Sequence, residues 1–276
     1  MSDKFKARPI HLAPVLASLL FSIFCAFLLS TSSIETYKIT PFQEDVFFGS
    51  FGNALYFVIL VGVGASLLYL LMKRGNRKFI NLITGFALTM AIFMLCVVYL
   101  FAALSRTNFP YLEALILALS LILTVSSSLA IFRFGGKICD VIIVLLGGAL
   151  GTFLGVSIQT LSTITILIFL AIYDTFTVYY GPVGKMARIG LEQFRGLSYS
   201  FKGIQMGLGD LTFYSMLSGH MFLNFGFIPC LASIFGITLG CLLVFKILEI
   251  KRMFPGLPFP VLLGLAFGIL ASLLDA

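Results

Sequence analysis

Two carboxylic acids in this chain stand in apolar surroundings that a solvated loop does not explain. Asp174 lies in Ile172-Tyr173-Asp174-Thr175-Phe176, and Asp210 lies in Gly207-Leu208-Gly209-Asp210-Leu211. Like charges a few ångströms apart cannot both ionise cheaply, so such a pair shares one proton and titrates as a unit. That state suits peptide hydrolysis. The ionised member takes a proton from water while the protonated member donates to the carbonyl oxygen, and the roles reverse as the amine leaves. The same pair could instead carry protons or cations in a transporter, and the chemistry alone leaves both readings open.

The residues beside the acids bear on the choice. Gly207 and Gly209 have no Cβ and would let a neighbouring helix or a substrate backbone approach Asp210, although small residues are also ordinary helix-packing elements. Tyr173 could position Asp174 through its hydroxyl or serve as an interior aromatic. Near the end of the chain, Pro255-Gly256-Leu257-Pro258-Phe259-Pro260 precedes a last apolar run. Proline is common at a first helical turn. Three prolines in six residues also remove three N–H donors and can hold a short extended segment whose carbonyls pair with a bound chain.

The elements that must hold these residues are read from composition. The 276 residues are 60% hydrophobic and only 11% charged, with a mean hydropathy of +1.10, whereas a soluble chain carries about 25% charged residues. A water-soluble globule is excluded. The net charge of +7 is gathered in short clusters between apolar runs, which fits a membrane surface and gives no reason to expect a nucleic-acid partner. Each crossing takes roughly 20 apolar residues. The runs predict an all-α polytopic membrane protein with nine transmembrane helices, over 11–30, 50–72, 79–102, 111–132, 138–156, 161–180, 204–219, 223–246 and 257–274. Together they form one membrane-embedded domain over 1–276.

The first run is read as a retained helix rather than a cleaved signal peptide. Ile138 to Tyr180 is too long for one crossing, and Gly147, Gly148, Gly151, Gly155, Ser157, Gln159 and Thr160 supply its expected break. Gly203 to Lys246 is likewise too long, with a turn expected at Ser218-Gly219-His220 and Asn224.

Charge placement tests the count. Sixteen of the 18 basic residues fall in alternate connections, and only Lys38 and Arg106 lie in connections of the other parity. The N-terminus is therefore expected to be cytoplasmic and the C-terminus exterior. At 1.5 Å per residue, Asp174 and Asp210 then lie about 9–11 Å from the same membrane face, on adjacent antiparallel helices. The segment after Tyr180, roughly 20 residues by the apolar-run boundaries, is long enough for a short amphipathic or mobile element.

The combination resembles the presenilin and signal-peptide-peptidase family of intramembrane aspartyl proteases, in the manner of a prokaryotic or archaeal homologue. Tyr173-Asp174 matches the family's Tyr-Asp signature, and Gly207-Leu208-Gly209-Asp210 matches Gly-x-Gly-Asp. Pro255-Gly256-Leu257-Pro258 matches Pro-Ala-Leu with a following Pro, departing by Gly256 in place of Ala. The resemblance covers nearly the whole chain. It implies that Asp174 and Asp210 are catalytic, and that Tyr173, Gly207, Leu208, Gly209, Pro255, Gly256, Leu257 and Pro258 support the dyad or bind substrate.

The resemblance also implies that single-pass transmembrane peptides or remnant signal peptides enter laterally from the lipid bilayer. They would be partly unwound and cut within the membrane, without metal, nucleotide or other cofactor. An unwound segment must re-satisfy its backbone groups, and strand addition beside 255–260 could do so. The short segment between the two acids implies an unprocessed chain, active alone or as a homo-oligomer, without obligate accessory subunits, and the resemblance implies a prokaryotic or archaeal cell membrane.

Three other readings compete: a proton-coupled transporter or cation leak, a binding scaffold, and a prepilin-peptidase-like enzyme. An inverted repeat would favour transport, and none is evident. The nine spans and the late Pro-Gly-Leu-Pro element stand against the prepilin-peptidase reading. Glu113 and Asp140 are explained by interface placement. His11 and His220 fit boundary or local hydrogen-bonding roles better than zinc. Cys25, Cys96, Cys139, Cys230 and Cys241 read as packing residues.

Overall fold

The computed structural model describes residues 6–32, 40–42, 47–74, 77–107, 110–180, 196–251 and 253–275. The amphipathic or mobile element expected after Tyr180 falls at 181–195, outside the described residues. Among the described residues are nine α-helices: α1 (Ala13–Thr31), α2 (Phe47–Lys73), α3 (Arg77–Leu104), α4 (Leu112–Leu129), α5 (Gly136–Ser157), α6 (Thr160–Tyr179), α7 (Leu208–Phe225), α8 (Phe227–Leu248) and α9 (Pro258–Asp275). A 3-10 turn at Pro9–Leu12 leads into α1, and a π-helical turn at Ala130–Phe134 ends α4.

Eight of the nine are long and apolar enough to cross a bilayer, and α7 is not among them. Its sequence holds Asp210, Thr212, Ser215, Ser218, His220 and Asn224, which lipid would not tolerate. Protein surrounds it instead: α5 packs along its length, with α1, α8, α9 and α6 completing the cage. Ser18 and Ser22 of α1 bond to Ser215 and Ser218 of α7 at 3.1 Å each, and Ser22 also meets Thr152 of α5 at 2.8 Å. The polar groups of α7 thus form interhelical ties.

The break expected in 138–180 falls at its later members, between Ser157 and Thr160, and the turn expected at 218–224 is displaced. Gly147, Gly148, Gly151 and Gly155 do not interrupt a helix. They lie within α5, and three of them form a smooth stripe under α7, where a Cβ on Gly151 would come 2.3 Å from the Thr212 carbonyl oxygen. The chain breaks after them, where Ile158 and Gln159 are extended. Similarly, Ser218-Gly219-His220 is helical rather than a turn, because Gly219 packs against Thr152 and His220 Nδ1 lies 2.7 Å from the Gly155 carbonyl oxygen. The turn falls at Gly226, whose φ of 97° suits a residue without Cβ.

A third difference concerns 204–207, expected as the start of a helix. Two antiparallel strands, β1 (Ser198–Phe201) and β2 (Ile204–Gly207), form a hairpin that runs directly into α7. Its two-residue turn, Lys202-Gly203, has positive φ at both positions, the geometry that matches strand twist. Tyr199 and Met206 face inward as a cross-strand pair, with the Tyr199 hydroxyl 3.4 Å from Met206 Sδ. Burial first, then nearby acids including Asp210, push the Tyr199 phenol above its ordinary range, so it stays a neutral hydroxyl.

Candidate active site

Asp174 stands five residues before Tyr179, the last residue of α6, and Asp210 stands in the first turn of α7. Both are half-buried, with part of each side chain accessible. Between α8 and α9 the chain passes through Pro255, Gly256 and Leu257 before Pro258 opens α9, and this connection meets both acids. The Leu257 N–H donates to Asp174 Oδ2 at 3.0 Å. A Cβ on Gly256 would stand 2.9 Å from Asp210 Oδ2 and 3.1 Å from its Cγ. The two carboxyls therefore flank one stretch of backbone and are near enough to interact electrostatically.

The helices explain why the connection runs there. Gly236 and Gly240 of α8 lie flat against α9, with Cβ positions that would fall 2.4 Å from the Leu263 carbonyl oxygen and 2.4 Å from Pro260 Cα. This close pairing leaves the connection at 253–257 directed back over α7. Pro255 and Leu257 are buried there, while Gly256 remains partly open.

The other sequence candidates divide. Leu208 is buried, with its side chain near the Gly147 position of α5. Gly207 and Gly209 meet no neighbouring helix: the nearest atoms to their would-be Cβ positions, 3.9 Å away, belong to Gly209 and Phe213. They leave open room beside Asp210 rather than forming a packing seam. The Tyr173 hydroxyl is turned toward α2, 3.2 Å from the Cβ position of Gly62, instead of serving only Asp174. His11 Nδ1 accepts the Arg8 N–H at 2.9 Å, a local role at the start of the chain's first turn.

Two participants were not anticipated. Tyr214, one helical turn beyond Asp210, donates its hydroxyl to the Gly256 carbonyl oxygen at 2.7 Å. Asp140 of α5 accepts the Ser200 N–H at 3.3 Å, so it holds the outer edge of β1 as well as an interface position. The i, i+4 spacing of Asp210 and Tyr214 was the available signal for the first. Alternating Tyr199, Phe201, Ile204 and Met206 around Lys202-Gly203 was the signal for the hairpin.

No family model matches the chain. Among solved structures, one of a presenilin family intramembrane aspartate protease superposes with a TM-score of 0.70 at 21% identity, covering 95% of this chain and 98% of that one. The fold is presenilin-like. In sequence, presenilin-B of Dictyostelium discoideum is 34% identical over 124 residues, a match spanning 39% of this chain and 25% of the relative. The chain thus spans about a quarter of that curated relative's length. The chain is similar to a presenilin in sequence over part of its length and to a presenilin family protease in fold over nearly all of it. It is a multi-pass integral membrane protein with a presenilin-like, all-α architecture.

Proposed function

We propose that this presenilin-like protein is an intramembrane aspartyl endopeptidase that cuts peptide bonds within transmembrane segments or remnant signal peptides. Asp174 and Asp210 form its catalytic dyad. The single observation that carries this reading is the convergence of two acids from different helices on the Gly256–Leu257 backbone. A stray intramembrane carboxylate needs one partner, whereas two carboxyls sharing one cleft are arranged for proton exchange.

The chemistry follows from one shared proton. The ionised carboxyl removes a proton from water as its oxygen bonds to the scissile carbonyl carbon, and the other carboxyl protonates the carbonyl oxygen. In the resulting tetrahedral diol, one carboxyl then donates to the amide nitrogen while the other takes back a hydroxyl proton, and the C–N bond breaks. One water is consumed and the dyad again holds one proton. Gly207 and Gly209 leave room for the substrate backbone beside Asp210. Tyr173, Leu208, Pro255, Gly256, Leu257 and Pro258 shape the walls.

A transmembrane substrate must be unwound before its carbonyl can be reached. The hairpin supports an extended binding mode. Ser200 on the outer edge of β1 is engaged by Asp140, while β2 has no third strand among the described residues and feeds straight into the helix carrying Asp210. Strand addition beside β2 and 255–258 would satisfy the freed backbone groups. In this reading the nine helices act as one domain, with the N-terminus cytoplasmic, the C-terminus exterior and the dyad nearer the cytoplasmic face. The enzyme works alone or as a homo-oligomer. A prokaryotic or archaeal source belongs to this reading alone, since the relative with a named organism is a eukaryote.

The test uses purified full-length protein in liposomes with a panel of single-pass peptides and product masses. Asp174→Asn and Asp210→Asn are each expected to lose cleavage by at least roughly 10³-fold while remaining folded. Cleavage preserved in both variants would rule out the dyad. Proton flux lost in both variants, with no peptide cut by the unaltered chain, would favour the transporter.

A further inference from the structure

The Gly256–Leu257 peptide group is held at both of its polar atoms. Its C=O accepts from the Tyr214 hydroxyl at 2.7 Å, and its N–H donates to Asp174 Oδ2 at 3.0 Å. Because the amide is planar, the two bonds are not independent. Tilting the carbonyl away from Tyr214 swings the N–H away from Asp174. Tyr214 is itself fixed, a residue only 1% exposed. It sits four residues after Asp210 on the same face of α7.

We propose that Tyr214 is a positioning residue of the dyad, linking the helix of Asp210 to the carboxyl of Asp174 through one rigid peptide group. Asp174 projects from α6, which otherwise packs chiefly on α2 and α9. Without the link, the two carboxyls would be set by separate helices that can shift relative to each other. With it, the carboxyl orientation of Asp174 is referenced to α7. Tyr214 touches neither water nor substrate in this scheme and moves no proton. The inference rests on the protease reading given above.

The experiment compares Tyr214→Phe with Tyr99→Phe in the full-length protein. Tyr99 is a matched reference, because its hydroxyl also donates to a buried backbone carbonyl, Ala149, at 2.7 Å, but on the α3–α5 contact. Tyr214→Phe is expected to lower kcat by roughly 10- to 100-fold with KM changed by less than about twofold, the signature of misplaced catalytic groups. Tyr99→Phe is expected to keep kcat within about twofold even where it lowers thermal stability equally. Amide hydrogen exchange at Leu257 should quicken by about fivefold or more only in Tyr214→Phe.

Replacing Tyr214 with p-aminophenylalanine, which retains a donor at the same reach, should recover most of the lost kcat and restore slow exchange. This second variant also decides the matter if the Phe variant folds poorly. Equal kcat losses in the two Phe variants, tracking stability, would overturn the inference, as would unchanged Leu257 exchange in Tyr214→Phe. If the unaltered chain cuts no peptide, the protease reading fails, and Leu257 exchange still judges the mechanical link by itself.

Discussion

At residue 256 the chain carries no side chain, and the space a methyl group would need is occupied by the Asp210 carboxyl. The would-be Cβ stands 2.9 Å from Oδ2 and 3.3 Å from Oδ1, closer than carbon and oxygen approach without displacement. Gly256→Ala should therefore push the carboxyl aside by a few tenths of an ångström or tilt the peptide that Tyr214 and Asp174 share. Activity is expected to fall by roughly tenfold with little change in thermal stability, a pattern that separates misplacement from unfolding. A peptide-cleavage assay beside a thermal melt checks it, and wild-type turnover in Gly256→Ala would mean that the site has slack. Asp174 and Asp210 stood out in the sequence because intramembrane acids are rare. Tyr214 did not, because its partner lies 42 residues away and nothing local marks a tyrosine as a clamp.

At the scale of elements, the apolar runs were legible, while the part glycine plays inside them was not. A continuous run records only that residues suit a nonpolar setting; it does not say whether glycine is bending a helix or clearing space for another. In α5 glycine clears space, with Gly147, Gly151 and Gly155 against α7. Gly151→Ala is accordingly expected to force α5 and α7 apart and to destabilise the protein by about 1–3 kcal/mol, lowering activity in parallel because α7 bears Asp210. Thermal unfolding in detergent, compared with a Gly64→Ala reference whose Cβ meets nothing within 4 Å, measures it. An equal melt for the two would refute the close-packed seam. The hairpin at 198–207 was hidden for a different reason: its strands are four residues each, the shortest stretch over which alternation is read, and they run straight into an apolar helix.

At the scale of the whole molecule, eight of the nine helices are long and apolar enough to cross a bilayer by themselves, and α7 is packed among protein neighbours instead. α2 is apolar on all sides and lightly buried, whereas α7 carries hydroxyls and an imidazole inward to α1 and α5 and a carboxyl toward Gly256. Composition registers the average over a helix, while stability depends on which neighbour each group meets. The serine and threonine ties among α1, α5 and α7 show that the first helix of the chain completes the surroundings of the seventh.

That dependence reaches back to synthesis. A segment too polar to partition by itself cannot settle in the bilayer when it leaves the translocon; it needs α1 and α5 already in place, and α8 arriving behind it. Insertion of α7 is therefore a cooperative event late in biogenesis. In a glycosylation-reporter series, α7 alone in a host protein should insert poorly, whereas the same segment following α1–α6 and followed by α8 should insert efficiently. Efficient insertion of the isolated segment would show that the cage is assembled around α7 rather than required to admit it. On this account the proposed dyad is completed only after the scaffold exists, so in the protease reading a chain stalled before α8 would hold its two acids without being able to cut its neighbours in the same membrane.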